Sequence, residues 1–183
     1  MRVITGSARG RRLKELEGLE TRPTTGKVKE ALFSVIQFDI EGRRVLDLFA
    51  GTGQLGIEAL SRGAEHCTFV EQDRAAAAVI IANCKAARVF KQARVQLGQA
   101  ELFLTSAPAG QFHIVLLDPP YNQGTLEKIL PQVDRVTAPG GIVLCESELS
   151  ASLPNECGGL RKIRQHRYGK VLVTRYEKDL AEL

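Results

Sequence analysis

The chain of 183 residues has no tryptophan, a single methionine and only 5% aromatic residues. Its four cysteines, Cys67, Cys84, Cys145 and Cys157, contain no C-x-x-C pair, and no His or Cys sits at ligand spacing. That excludes a zinc ribbon or a disulfide framework, and no metal is expected. The longest apolar runs, Ala75–Ala82 and the Val115–Leu117 core, fall far short of the roughly 20 residues of a membrane span. The opening Met1-Arg2-Val3-Ile4-Thr5-Gly6 has no apolar leader, so neither export nor membrane attachment is expected and the location reads as cytoplasmic. There is no internal repeat and no low-complexity tract.

What is present is ordinary globular composition, 44% hydrophobic and 25% charged, with an uneven charge distribution. Residues 1–29 hold eight Lys/Arg against three Glu. Residues 30–160 hold ten against fifteen Asp/Glu, and residues 161–178 hold seven against one. A mildly acidic middle thus lies between two basic ends. If those ends meet, they form a cationic face suited to a phosphate backbone; otherwise they are a solvated surface.

The N-terminal part reads as two short strands, Arg2–Thr5 and Arg11–Leu16, joined by Gly6-Ser7-Ala8-Arg9-Gly10. A loop around Pro23 follows. Thr24 or Thr25 can cap a helix running from about Lys27 to Phe38, whose Val28, Ala31, Leu32, Val35 and Ile36 recur at helical spacing. From Arg43 strand and helix alternate. Strands are expected at Val45–Phe49, Cys67–Val70, Ala93–Leu97, Phe112–Leu117 and Gly141–Glu146. Helices are expected at Leu55–Ser61, Arg74–Ala87, near Ala100–Leu104, and at Thr125–Val136, with a turn at Ala138-Pro139-Gly140. A hairpin, Leu160–Tyr168 and Lys170–Glu177, pivots on Gly169. This pattern gives an α/β fold, a doubly wound and mostly parallel sheet with helices on both faces. The hairpin adds an antiparallel strand, and the N-terminus a small β-hairpin extension. We divide the chain into a basic hairpin extension, 1–24, and a main α/β domain, 25–183. Ligands of such sheets bind at the strand carboxyl ends, where strand order reverses.

Two motifs fall at such ends. Asp47-Leu48-Phe49-Ala50-Gly51-Thr52-Gly53-Gln54-Leu55-Gly56 closes the first strand and opens a helix. Its glycines let the backbone turn sharply and approach a ligand. Glu71, 20 residues after Gly51, can accept from ribose hydroxyls. The loop alone matches a dinucleotide fingerprint, but Asp47 beside it suits an amine better than a pyrophosphate. The second motif, Asp118-Pro119-Pro120-Tyr121, ends the Phe112–Leu117 strand. Its prolines fix the backbone and remove two N–H donors, leaving the Asp118 carboxylate and the Pro119 carbonyl as acceptors beside a flat ring. Such acceptors favour a pyramidal exocyclic amine with an available lone pair and stabilise charge developing on it. Stacking on Tyr121 would align the base for in-line transfer from a sulfonium donor.

With Thr21-Arg22-Pro23-Thr24-Thr25, Lys27–Phe33 and Gly56-Ile57-Glu58-Ala59-Leu60-Ser61-Arg62-Gly63, these motifs resemble the bacterial 16S ribosomal RNA guanine-N2 methyltransferase family, which modifies guanine 966. The resemblance covers nearly the whole chain. It implies a Rossmann-like methyltransferase fold, S-adenosyl-L-methionine as cofactor, and 16S rRNA in the small subunit or an assembly intermediate as partner, with the protein acting as a monomer. By similarity Asp118, Pro119, Pro120 and Tyr121 bind the target guanine. The cofactor would meet Asp47, Phe49, Ala50, Gly51, Thr52, Gly53, Glu71, Gln72, Gln99 and Ala100. RNA would meet Arg9, Arg11, Arg12, Arg22 and Lys170. Gln99 stands where many relatives carry Asp, and Gly26 where many carry Asp after Arg-Pro-Thr-Thr. The motifs leave open an adenine-N6 methyltransferase on RNA or DNA, a non-catalytic assembly protein that binds the cofactor, and a small NAD-binding protein.

Overall fold

The computed structural model describes residues 1–16, 26–121 and 123–180. The expected cap at Thr24 or Thr25 and the Arg22 segment lie outside them. In chain order the elements are α1 (Gly26–Val35), β1 (Arg44–Asp47), α2 (Gln54–Ser61), β2 (His66–Glu71), α3 (Arg74–Ala86), a 3-10 turn at Phe90–Gln92, and β3 (Ala93–Leu97). There follow α4 (Ala100–Ser106), β4 (Phe112–Leu117), α5 (Thr125–Val136), β5 (Thr137–Glu148), β6 (Glu156–Cys157), β7 (Leu160–Tyr168) and β8 (Val171–Lys178).

All eight strands form one sheet in the order β3-β2-β1-β4-β5-β8-β7-β6. The first five are parallel and the last three antiparallel. Alternation of side chains buries both faces. Val45, Ile114, Leu116, Leu144 and Val173 face α1, α2 and α3, whereas Leu46, Val115, Leu117, Val143 and Tyr176 face α4 and α5. Helix α5 buries Leu126, Ile129, Leu130, Val133 and Val136, one stripe at helical period.

Several boundaries differ from the sequence expectation. Helix α1 stops at Val35, not Phe38; the chain turns there, Asp39 N–H donating to the Ile36 carbonyl, so that both Ile36 and Ile40 are buried while Phe38 is 92% exposed. Ala138-Pro139-Gly140 is not a free turn but an irregularity inside β5. Thr137 pairs with Phe112 and Ile142 with Ile114, so β5 takes five steps to match two on β4. Beyond β5 the sheet holds three antiparallel strands, not one; β6 is too short to leave a periodic signature.

At the N-terminus, the two expected strands reduce to one bridge, Arg2 with Arg12. The reason is a competing acceptor. The N–H groups of Ile4 and Thr5 donate to the Glu58 carboxylate of α2, at 2.8 and 3.0 Å, rather than to a partner strand. Glu58 is fully buried and also takes Arg62 Nε at 2.9 Å. Its Oε2 lies 3.4 Å from the Nζ of buried Lys29, which donates to the Arg2 carbonyl at 2.8 Å. Burial holds the Lys29 ammonium below its ordinary value, against the raising effect of Glu58. The following turn wraps the end of α2: Ser7 N–H and Ala8 N–H donate to the Ser61 carbonyl and Oγ. Gly6 has φ +89°, and a Cβ there would sit 1.7 Å from the Ser61 carbonyl oxygen. Val3, Ala8 and Leu13 are buried with the helices of this face.

Removing one member of a buried charge network strands the others, at a cost of about 3–5 kcal/mol. Glu58→Ala should therefore lower unfolding free energy by that order in urea titration and sharply speed hydrogen exchange at Ile4 and Thr5. Unchanged protection at those two amides would refute the role given to Glu58.

Candidate active site

Strand order reverses at β1, with β2 on one side and β4 on the other, and both sequence motifs begin at that point. The two strands stay joined past their ends: Leu48 N–H donates to the Leu116 carbonyl at 3.2 Å. Ala50 N–H reaches the Val70 carbonyl on β2 at 3.0 Å, and Gly53 N–H closes a turn onto the Ala50 carbonyl at 2.7 Å. Gly51 and Gly53 have φ +56° and +84°, values costly for any residue with a Cβ. A Cβ on Gly51 would meet nothing within 4 Å, so the loop backbone borders open space at the strand ends. Gly56 serves packing instead: a Cβ there would lie 2.2 Å from the Phe69 ring, so its absence lets α2 lie close on β2.

Two carboxylates set this loop. Asp47, 1% exposed, accepts from Gly56 N–H at 2.8 Å in the first turn of α2. Burial pushes its carboxyl up to about 7, aided by the nearby Glu71 charge and opposed by the Gly56 hydrogen bond. Glu71 accepts from Gly51 N–H through Oε2 and from Asp73 N–H through Oε1, both at 2.8 Å. The two acids read from sequence as ligand acceptors thus also hold the loop's own backbone. Each carboxylate oxygen retains further acceptor capacity. Phe49 is half-buried, Ala50 buried, Thr52 half-buried and Gln72 exposed. Gln99 occupies the N-cap position of α4 without a side-chain cap, is exposed, and precedes buried Ala100. It borders a groove between α4 and the face of β3, lined also by Arg94, Leu97, Leu102 and Phe103.

The Asp118 motif leaves β4 one residue past the Leu117–Cys145 pair, which brings Asp118 level with Glu146 of β5. Asp118 and Tyr121 are half-buried, Pro119 is buried and Pro120 exposed. Tyr121 Oη donates to Glu146 Oε1 at 2.7 Å, and Glu146 is 5% exposed. The ring is therefore held at both ends, by the proline backbone and by a buried carboxylate.

Three residues of this neighbourhood escaped the sequence reading. Glu146 was hidden in a strand; its signal is the alternation Glu146-Ser147-Glu148 closing an apolar run. Buried Asn83 of α3 donates to the Thr52 and Lys14 carbonyls and accepts from Lys14 N–H, tying the glycine loop to the N-terminal segment. A lone Asn in an Ala-rich helix was its only trace. Asp73 caps α3 by accepting from Ala76 N–H. The cysteines stay outside this chemistry, since burial pushes all four thiols up, Cys84 to about 12. Among the described residues no cluster of His, Cys, Asp or Glu could hold a metal.

The basic residues named from sequence do not gather at one place. The Gly6–Gly10 turn carrying Arg9 sits against Ser61, the far end of α2 from the glycine loop. Arg11 donates to the Ala86 carbonyl at the C-terminus of α3, and Arg12 is exposed beside it. Lys170 lies in the β7–β8 turn. Val171 pairs with Glu148, so that turn projects from the same end of the sheet as the Asp118 motif. Arg22 lies outside the described residues.

The buried acid gives a pH signature. A carboxyl raised on folding takes up a proton, so its contribution is complete below its ordinary value near 4 and is lost as pH climbs through about 7. Between pH 5 and 8, wild type should lose about 2–3 kcal/mol of unfolding free energy that Asp47→Asn does not lose. Parallel stability curves for the two proteins would contradict the assignment.

Comparison with known proteins agrees with this fold. The family described as conserved hypothetical protein 95 matches residues 1–177. YlbH of Bacillus subtilis, named as a candidate rRNA methyltransferase, is 42% identical over 97% of this chain and 99% of its own length. The Escherichia coli protein named ribosomal RNA small subunit methyltransferase D is 35% identical over 98% of this chain and 90% of its own. The structure of yhhF from Escherichia coli, titled as a candidate methyltransferase, superposes with a TM-score of 0.87 at 35% identity, covering 98% of both chains. The chain belongs to the conserved hypothetical protein 95 family, in which it stands beside proteins named as methyltransferases of ribosomal RNA.

Proposed function

We propose that this protein transfers the methyl group of S-adenosyl-L-methionine to the exocyclic N2 of a guanine in 16S rRNA, by resemblance guanine 966. The observation that carries the reading is the acceptor-rich Asp118-Pro119-Pro120-Tyr121 corner beside the Gly51–Gly53 loop, at adjoining ends of β4 and β1. The relatives' names supply the substrate class, and the family resemblance supplies the base and position.

The loop fits the cofactor, because its glycine backbone borders open space and is framed by Asp47 and Glu71. Gly51 and Gly53 would pass beneath the methionine part, with Phe49, Ala50 and Thr52 alongside. Asp47 would face the ammonium, Glu71 and Gln72 the ribose, and Gln99 and Ala100 the adenine. When bound, the cofactor supplies a methyl group on an electrophilic sulfonium. The protein's work is orientation and electrostatics. The Asp118 carboxylate and Pro119 carbonyl would accept from the two amino hydrogens, localise the nitrogen lone pair and stabilise the cation that forms. Tyr121, held through its hydroxyl by Glu146, would stack on the base and keep the amine in line. A looped-out base costs less to seat than one drawn from a helix, by about a few kcal/mol.

Lys170, Arg9, Arg11, Arg12 and Arg22 are proposed to meet RNA phosphates. Reaching Arg9 and Arg11 requires RNA that extends past α2 to the opposite end of the sheet. The small subunit or an assembly intermediate is the proposed particle, with a single copy of the protein acting in the cytoplasm.

Unmodified small subunits incubated with the protein and labelled cofactor should acquire one methyl on one guanine, and digestion should yield N2-methylguanosine. N6-methyladenosine, or no methylated nucleoside, would overturn the reading. Asp118→Ala should lower kcat about a hundredfold or more. Tyr121→Phe, which keeps the ring but loses the Glu146 bond, should lose far less.

A further inference from the structure

Of the most basic stretch of the chain, residues 161–178 with seven Lys/Arg against one Glu, the proposed function uses Lys170 alone. Side chains of paired residues on neighbouring strands share a face. Tyr168 pairs with Val171, His166 with Val173 and Arg164 with Arg175. Val171 and Val173 are buried on the α1 face, and Arg175 donates to the Val35 carbonyl at the end of α1. Arg164, His166 and Tyr168 therefore line one face of β7, in steps of two toward the turn that carries Lys170.

Three observations mark this strip as a surface for a partner. The His166 and Tyr168 rings stand 6.3 Å apart at 52°, Tyr168 half-buried against the core and His166 exposed beside it. Arg164 lies opposite another arginine, a pairing that disfavours the sheet. Arg175 is matched by Glu177 and Asp39, whereas among the described residues Arg164 and Lys170 form no ion pair. Cations on an exposed strand also deter pairing with another sheet, but that role needs no aromatic rings.

The strip leads to the site. Tyr168 lies level with Glu148, three residues past Cys145 on β5, and three strand spacings separate β7 from β4. Asp118 is level with Glu146, two residues short of Glu148, so at ~3.3 Å per residue and ~4.8 Å per strand the Tyr168 backbone is roughly 16 Å from that of Asp118. That is about five stacked nucleotides at ~3.4 Å each. Two aromatic faces flanked by cations suit an unpaired nucleic-acid strand, whose bases stack and whose phosphates need positive charge.

We propose that Arg164, His166 and Tyr168, with Lys170 at the turn, form a docking track for single-stranded RNA flanking the target base. The inference rests on the rRNA methyltransferase reading. Two probes test it: a fluorescent oligouridylate of twelve nucleotides and unmodified small subunits. Tyr168→Leu keeps apolar bulk against the core, and His166→Ala changes an exposed residue, so both should fold. Each should weaken oligouridylate binding about 5–10-fold. Arg164→Ala with Lys170→Ala should reduce the salt dependence of binding by about 1.4 in logarithmic slope, ~0.7 for each lost phosphate contact. The combined variant should raise KM for small subunits at least tenfold, while its affinity for S-adenosylhomocysteine matches wild type. Wild-type affinity for oligouridylate in every variant overturns the track. So does a loss seen on assembled particles alone, which would assign the strip to a protein partner. Should wild type methylate no rRNA at all, the function fails rather than the track; should it methylate rRNA with variants of equal KM, the track alone fails.

Discussion

The parallel pairing of β1 with β4 is the constraint on which the rest of the molecule depends. It places the end of Leu46-Asp47 beside the end of Leu116-Leu117, and the Leu48–Leu116 hydrogen bond keeps the two chains together beyond the sheet. One departing segment is a glycine loop and the other a proline corner. In the proposed reading neither acts alone: the glycine turn would bind the cofactor, and the acceptor-rich corner would position an amine. Their juxtaposition at the reversal of strand order is what the proposed transfer site requires, and the flanking strands and helices hold that spacing.

Carboxylates, three buried and one half-buried, do most of the holding. Asp47 takes Gly56, Glu71 takes Gly51 and Asp73, Glu58 takes Ile4 and Thr5, and Glu146 takes Tyr121. Each joins segments that no regular backbone ladder connects. A carboxylate with several donors can satisfy itself out of water, but leaving any one donor behind is expensive. This arrangement makes the loop and the N-terminal segment parts of one body. It also explains why Asp47 is both a structural acceptor and, in the proposed complex, the group that faces an ammonium: the ligand would stabilise the charge that burial disfavours.

Much of this was legible in the sequence where local pattern and tertiary need agree. β3, β4 and α5 fall where they are expected, because the apolar run Phe112–Leu117 is buried on both faces and the α5 stripe faces one way. The two motifs were legible because glycine and proline restrict the backbone regardless of context. What was not legible depends on partners distant in sequence. The N-terminal strands gave way to Glu58, more than 50 residues away, and the end of α1 was set by the joint burial of Ile36 and Ile40. Glu146 reads as one more residue of a strand until its register with Asp118 is known. The basic residues show the same limit: charge counts gave two cationic ends, but only the topology separates the Arg9 turn from the Lys170 turn.

The most direct test of a single site built across β1 and β4 is a crystal structure with S-adenosylhomocysteine bound. The account predicts its methionine part along Gly51–Gly53, its ribose at Glu71, and its sulfur facing the gap in front of the Asp118 carboxylate and Pro119 carbonyl. Room should remain there for an amine about 3–3.5 Å from a transferring methyl carbon. A product molecule lodged elsewhere, or an Asp118 carboxylate directed away from that gap, would contradict it.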